Sequence, residues 1–220
     1  MIFHILSVIP HVLDAYVNES IVGRAQKKKL LSVKTYNIRT WATDKHKKVD
    51  DRPFGGGAGM VLKVEPIYRA VASIRAAIAR GRKKTKTRVI LFSTRGTLFT
   101  QEKATQLSKY NHIILICGRY EGVDERVARY IADEEISLGD VVYSGGEIPA
   151  LAVVDAVARK IPGVLGKYES LEEIQGSYPT YTRPEIFIPD SKNKKKKWIA
   201  PAVLRSGDHK KIENWRAIDK

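Results

Sequence analysis

Three short apolar runs constrain this chain most: IFHILSVI (2–9), RVILFS (88–93) and HIILIC (112–117). Each is too short for a helix that crosses a core and too uniformly apolar for a strand with one wet face, so each reads as a strand buried on both sides. Turn-prone residues follow two of them, TRGT after the second and GRYEG after the third. Helical patterns lie between and after them. PIYRAVASIRAAIAR (66–80) begins with a proline, whose missing N–H is harmless in a first turn. QEKATQLSKY (101–110) has helical character, and VDERVARYIA (123–132) places Val123, Val127, Tyr130 and Ile131 on one stripe. PALAVVDAVARKI (149–161) reads as a buried helix. Strands alternating with helices predict an α/β domain around a mostly parallel sheet.

The texture changes at residue 162. PGVLGKYESLEEIQGSYPTYTRP is rich in turn residues and weak in periodicity, and reads as a linker. The expected division is a main domain over 1–165, a linker over 166–178 and a short, mainly helical C-terminal piece over 179–220. That piece is too small to stabilise a core alone and must dock on something larger.

Charge narrows the partner. The formal net charge is +15, and it is unevenly spread. Residues 24–48 hold nine Lys/Arg against one acid, and residues 191–220 hold ten against three. Residues 111–160 reverse this, with five basic and nine acidic residues. Basic margins around an acidic middle fit a polyanion gripped at the edges of a separate site, and nucleic acid leads among polyanions because lysine and arginine release its counterions. No apolar run approaches the 18 or so residues of a membrane-spanning helix. The start, MIFHILSVIPHV, lacks the basic flank of a signal peptide and reads as the first strand. The single cysteine, Cys117, excludes an intramolecular disulfide and a cysteine-built zinc cage, and a reducing cytoplasm is the expected compartment.

Three glycine-rich stretches are candidates for chemistry. DDRPFGGGAGM (50–60) is neither a phosphate-binding P-loop nor a dinucleotide fingerprint; it is a flexible loop, or a polar ligand loop flanked by Asp50, Asp51 and Arg52. ICGRYEGVDERV (116–127) joins a strand end to a helix, where ligands of open α/β sheets sit, though on spacing alone a plain corner is the simpler reading. ISLGDVVYSGGEIPA (136–150) adds a second glycine bend before a helix. Two such corners facing each other would make a small-molecule pocket. YPTYTRPEIF (178–187) could stack bases or make a docking contact between domains. The five histidines are scattered, and no metal-ligand set is apparent.

Taken in order, SIVGRAQKKK, TDKHKKVDD, KVDDRPFGGGAGM, ICGRYEGVDERV, ISLGDVVYSGGEIPA, RKIPGVLG and YPTYTRPE resemble the bacterial tRNA (guanine-N1)-methyltransferase family, TrmD, of the SPOUT class, from Met1 to about residue 216. The resemblance implies a parallel sheet with a deep trefoil knot, which pattern alone does not propose because threaded chains are nearly absent among folds. It implies an antiparallel homodimer that binds S-adenosylmethionine in the knot and methylates N1 of the guanine 3′ of the anticodon, position 37, in tRNA. Three segments would form the pocket: Leu91, Phe92 and Ser93; Gly118, Tyr120, Glu121 and Gly122; and Ser137, Leu138, Gly139, Val141, Tyr143, Gly145, Gly146 and Pro149. Asp51, Arg52, Ser206, Asp208 and His209 would face the RNA, and the family suggests magnesium as an accessory ion.

Guanine N1 carries a proton and is a poor nucleophile, so a base must take that proton while a cation offsets charge growing on O6. Arg159, in ARKIPG, matches the family's arginine for the second task. The base departs from the family. Where the family has Ser-x-x-Glu-Asp-Ser-Phe, this chain has YESLEEIQGSYP, with Ile174 at the aspartate's place and Glu173 beside it. Glu173 is the expected base, with Glu172 the weaker candidate. The segment AVLRSGDHKKIENWR resembles the family's Val-Leu-x-Ser-Gly-Asn/Asp-His, but the chain stops earlier than usual at Lys220, so a reduced RNA-binding appendage is expected, with Lys194–Lys197 offsetting the smaller surface. The alternatives are another SPOUT RNA methyltransferase and a homologue that binds tRNA without catalysis.

Overall fold

In the computed structural model, which describes residues 1–81, 85–165, 178–190 and 195–218, the three apolar runs form the middle of one five-stranded sheet. They are β1 (Ile2–Ser7), β5 (Thr87–Leu98) and β6 (His112–Ile116). After β1 come two short helices, α1 (Asp14–Val17) and α2 (Ser20–Lys27), and then an edge strand, β2 (Ser32–Asn37), which lies outside β1; β7 (Glu134–Ser137) lies outside β5, giving the order β2-β1-β6-β5-β7. Every pairing is parallel, with Leu6 opposite Ile116 and Ile116 opposite Leu91. Two short antiparallel strands, β3 (Asp50–Asp51) and β4 (Val61–Leu62), close the base of the glycine-rich loop.

The middle stretches of the three inner strands are largely apolar because both faces are covered; His4 and Ser7 are the polar exceptions in β1, and β5 turns polar from Ser93 onward. Phe3, Ile5, Ile90, Ile113 and Leu115 point to one face, and meet Ala104 and Leu107 of α4 (Gln101–Leu107) and Val153, Val154 and Val157 of α6 (Glu147–Ala158). Leu6, Val89, Leu91, Ile114 and Ile116 point to the other face. There they meet Ile67, Ala70, Val71 and Ile74 of α3 (Val64–Ala79) and Val127 of α5 (Glu125–Tyr130). The α3 residues recur at i, i+3, i+4 and i+7, the stripe that one-sided burial requires. Each fully buried Leu or Ile adds roughly 1.5–3 kcal/mol, so this double-faced core fixes where the strand ends stand.

Local chemistry sets the helix starts. Thr100 Oγ1 accepts from the Lys103 N–H at 3.2 Å, and Asp124 Oδ1 accepts from the Arg126 N–H at 2.9 Å, each satisfying an orphan donor. The α5 helix is shorter than the pattern predicts, and Tyr130 is 78% exposed rather than part of the apolar stripe. RVILFS continues to Leu98, because β5 bulges between Phe92 and Thr97 and then rejoins β7. The edge strand β2 is not apparent from the sequence, as SVKTYN is half polar and needs only one neighbour.

The chain separates into two compact units, Met1–Gly166 and Lys167–Lys220. In the second, β8 (Ile186–Phe187) and β9 (Trp198–Ile199) form a ladder followed by helices Ala202–Arg205 and His209–Ile218. No described residue of this unit is buried. It is held by surface contacts: Tyr181 against Trp215, the Arg216 guanidinium 4.6 Å over the Tyr178 ring, and an Arg205–Glu185 ion pair. The ladder is an element that the expected mainly helical piece did not include.

Candidate functional site

The carboxyl ends of β5, β6 and β7 each turn through a small-residue corner, and the three corners surround one cavity of about 460 Å³. Every cofactor residue expected above lines this cavity except Gly139. Gly139 sits beside it with φ 139°, its N–H donated to the Ser137 Oγ at 3.2 Å. Gly122 has φ 129° and Tyr120 φ 61°, so the second corner bends through the left-handed region that an ordinary side chain resists.

Close approach explains the other glycines. A Cβ on Gly146 would lie 2.6 Å from the Cα of Cys117 and 3.0 Å from the N of Gly118. The Gly146 N–H donates to the Gly118 carbonyl at 2.9 Å, so the second and third corners touch backbone to backbone. A Cβ on Gly96 would fall 2.5 Å from the Ile136 N, which is why β5 can rejoin β7 after its bulge.

The first glycine-rich loop belongs to the same neighbourhood. The Glu121 N–H donates to the Met60 carbonyl, and the Leu62 N–H donates to the Gly122 carbonyl, both at 2.9 Å. A Cβ on Gly59 would collide with the Glu121 side chain at 2.3 Å. Asp51 and Arg52 stand at the foot of this loop rather than in the cavity wall. The Arg52 N–H, followed by Lys63 at 3.4 Å, holds the Asp51 carboxyl below the usual carboxylate range.

Electrostatics at the mouth is acidic and paired. The Arg95 guanidinium meets Glu125 at 2.6 Å and holds that carboxyl below its ordinary range. Oε2 of Glu135 is buried in the wall without a hydrogen-bond partner, with Arg95 at 3.9 Å. Beneath the corners, Glu147 is 4% exposed; it accepts from Ser7 Oγ at 2.6 Å and from Arg119 Nε at 3.2 Å. Burial, with Glu147 adding to it, pushes the Cys117 thiol well up, so it is an inert core group rather than a nucleophile.

Sequence reading missed Arg95, Glu125, Glu135, Arg119 and the Ser7–Glu147 contact. Arg119, Glu125 and Glu147 lay inside the quoted motifs and Arg95 inside the TRGT turn, whereas Ser7 carried no signal. Arg159 is the C-cap of α6 and is not part of the cavity wall. Glu173 and Glu172 lie outside the described residues, as does Lys194 of the lysine run. Ser206 and Asp208 cap backbone N–H groups, of Asp208 at 3.1 Å and Lys211 at 3.2 Å, and His209 opens the last helix. Among the described residues no three His, Cys, Asp or Glu side chains converge into a set that could hold a metal ion. Among them, too, no helix is long and apolar enough to cross a membrane.

A family model described as tRNA (Guanine-1)-methyltransferase TrmD matches residues 1–220. A tRNA (guanine-N(1)-)-methyltransferase of Ruminiclostridium cellulolyticum is 47% identical over 221 residues, covering 98% of this chain and 89% of that protein. One from Dictyoglomus turgidum is 48% identical, covering 96% and 82%, and one from Staphylococcus haemolyticus is 44% identical, covering 98% and 84%.

Proposed function

This chain belongs to the TrmD family of tRNA (guanine-1)-methyltransferases, and from that premise we propose that it methylates N1 of the guanine at position 37 of tRNA, using S-adenosylmethionine. The observation that carries the proposal is the cavity. Three corners from separate strands, two of them in backbone contact through Gly146 and Gly118, enclose a space of about 460 Å³. Apolar Leu138, Val141 and Pro149 line it beside Ser93 and Ser144, and Oε2 of Glu135 offers an acceptor with no hydrogen-bond partner of its own. That donor and acceptor set fits a flat heterocycle joined to a cationic chain. When bound, S-adenosylmethionine supplies an activated methyl group on a sulfonium.

The chain's own residues divide the remaining work. Gly118, Tyr120, Glu121 and Gly122 with the third corner hold the donor, and Asp51 and Arg52 meet the RNA from the foot of the glycine loop. Arg159 offsets the charge that grows on guanine O6, and Glu173 takes the N1 proton as the methyl arrives in line. Ser206, Asp208 and His209 of the C-terminal unit face the RNA, with the lysine run supplying non-specific attraction. This reading includes the 1–165, 166–178 and 179–220 division, a deep trefoil knot through the three corners, an antiparallel homodimer and a cytoplasmic site of work. It assigns no step to magnesium.

Incubation with a position-37 guanine tRNA transcript and S-adenosylmethionine, followed by nucleoside analysis, tests it. The expected product is 1-methylguanosine. A different methylated nucleoside, as another SPOUT enzyme would make, overturns the assignment, and so does the absence of any product, as a binding-only homologue would give.

A further inference from the structure

The buried charge under the two touching corners has no part in the chemistry just described. Glu147 opens α6 in a position where the helix favours an anion, but its carboxylate turns inward and is 4% exposed. Oε1 accepts from the Ser7 hydroxyl at 2.6 Å, and that hydroxyl accepts from the Ile9 N–H at 2.9 Å, so Ser7 is fixed as a donor towards Glu147. Both carboxylate oxygens face Arg119 Nε, at 3.2 and 3.3 Å. Gly145 lies flat against the pair: a Cβ there would be 2.5 Å from Oε2 and 2.9 Å from Nε. One carboxylate thus ties the end of β1, 140 residues away along the chain, to the second corner, 28 residues away, and to the third corner, which carries it.

We propose that Glu147 is a positioning residue for the methyl donor: by clamping Arg119 and Ser7 it sets the distance between the two glycine corners that line the cavity. The proposal rests on the reading of the cavity as the S-adenosylmethionine site. A buried ion pair of this kind adds little net stability, because desolvation offsets attraction, but removing one partner leaves an unpaired buried charge and lets the corners drift. A drift of about 1 Å at a site that depends on orientation can cost about a hundredfold.

The test measures S-adenosylhomocysteine binding by calorimetry and steady-state KM and kcat for wild type, Glu147→Gln, Arg119→Ala and the double variant, each checked by circular dichroism. Expected are a Kd weaker by about ten- to a hundredfold and a higher cofactor KM in either single variant, with KM for tRNA moved less than about threefold. The double variant should be no worse than the poorer single variant, because the two groups act as one unit. A purely structural role predicts instead that cofactor and tRNA constants and melting temperature all suffer together, and that result overturns the clamp, as does a folded Glu147→Gln protein with wild-type Kd. If Glu147→Gln does not fold, Ser7→Ala, which removes one hydrogen bond without stranding a charge, is read by the same split. Failure of the wild type itself to bind S-adenosylhomocysteine would refute the functional reading rather than the clamp.

Discussion

Replacing Gly146 by alanine puts the two-corner geometry to its sharpest test. The residue has φ −77° and ψ 0°, which alanine adopts without strain, so any effect must come from contact rather than backbone preference. The added methyl would sit 2.6 Å from the Cys117 Cα and 3.0 Å from the Gly118 N, both backbone atoms that cannot swing away. Ordinary contact needs about 3.5 Å or more, so the corners must part by nearly 1 Å or hold the strain. Overpacking a tight site costs about 1–3 kcal/mol. If the corners stay closed, the strain appears as reduced stability, roughly 2–4 °C in Tm for each kcal/mol in a chain of this size. If they open, the Gly146–Gly118 hydrogen bond at 2.9 Å lengthens and the strain appears as weaker donor binding, about tenfold for each 1.4 kcal/mol. Gly146 is buried, but residues 141–144 of its corner are exposed and border the cavity, so opening is the cheaper response. The expected result is a Kd for S-adenosylhomocysteine about 10- to 100-fold higher with a small fall in Tm, read by calorimetry and thermal melting. A variant with wild-type Kd and unchanged Tm would refute the claim that these corners touch.

Other consequences follow from the same geometry. His4 is buried between Tyr36 and His112, at 3.0 and 3.1 Å, and burial, then His112, then Lys34 lower its pKa from 6.5 to about 4. Between those values the unfolded chain binds a proton that the native ring refuses, so the contribution of His4 to stability is constant above pH 6.5 and falls as pH drops towards 4, by up to about 3 kcal/mol; a Tm difference between wild type and His4→Gln that does not change with pH would contradict this. Glu173→Gln should slow single-turnover methylation at saturating tRNA and donor, and an unchanged rate would remove Glu173 as the base. Arg159→Ala should lower the same rate about 10²-fold or more while leaving donor binding intact, and a full rate would remove it from the chemistry. Changing Lys195, Lys196 and Lys197 to alanine should flatten the dependence of log K for tRNA on log salt, by roughly 0.7–0.9 for each phosphate no longer neutralised, and an unaltered slope would show that the run does not touch RNA.

Much of the molecule was written in local patterns. The three inner strands were legible because a strand covered on both faces must be apolar throughout, and that is a property of consecutive residues. The corners were legible because positive φ at Gly122 and Gly139 and backbone contact at Gly146 demand glycine whatever the neighbours are. Helix starts at Thr100 and Asp124 were likewise fixed within three residues by a capping side chain. Tertiary structure alone decided what meets what. No local rule places Ser7 against Glu147, the Gly59 backbone against Glu121, or β7 beside β5, since each contact joins segments whose separation along the chain carries no periodic signal. A half-polar edge strand such as β2 went unrecognised and Tyr130 was wrongly placed on a buried stripe for the same reason: burial depends on which other element arrives, and the residues themselves are compatible with either outcome.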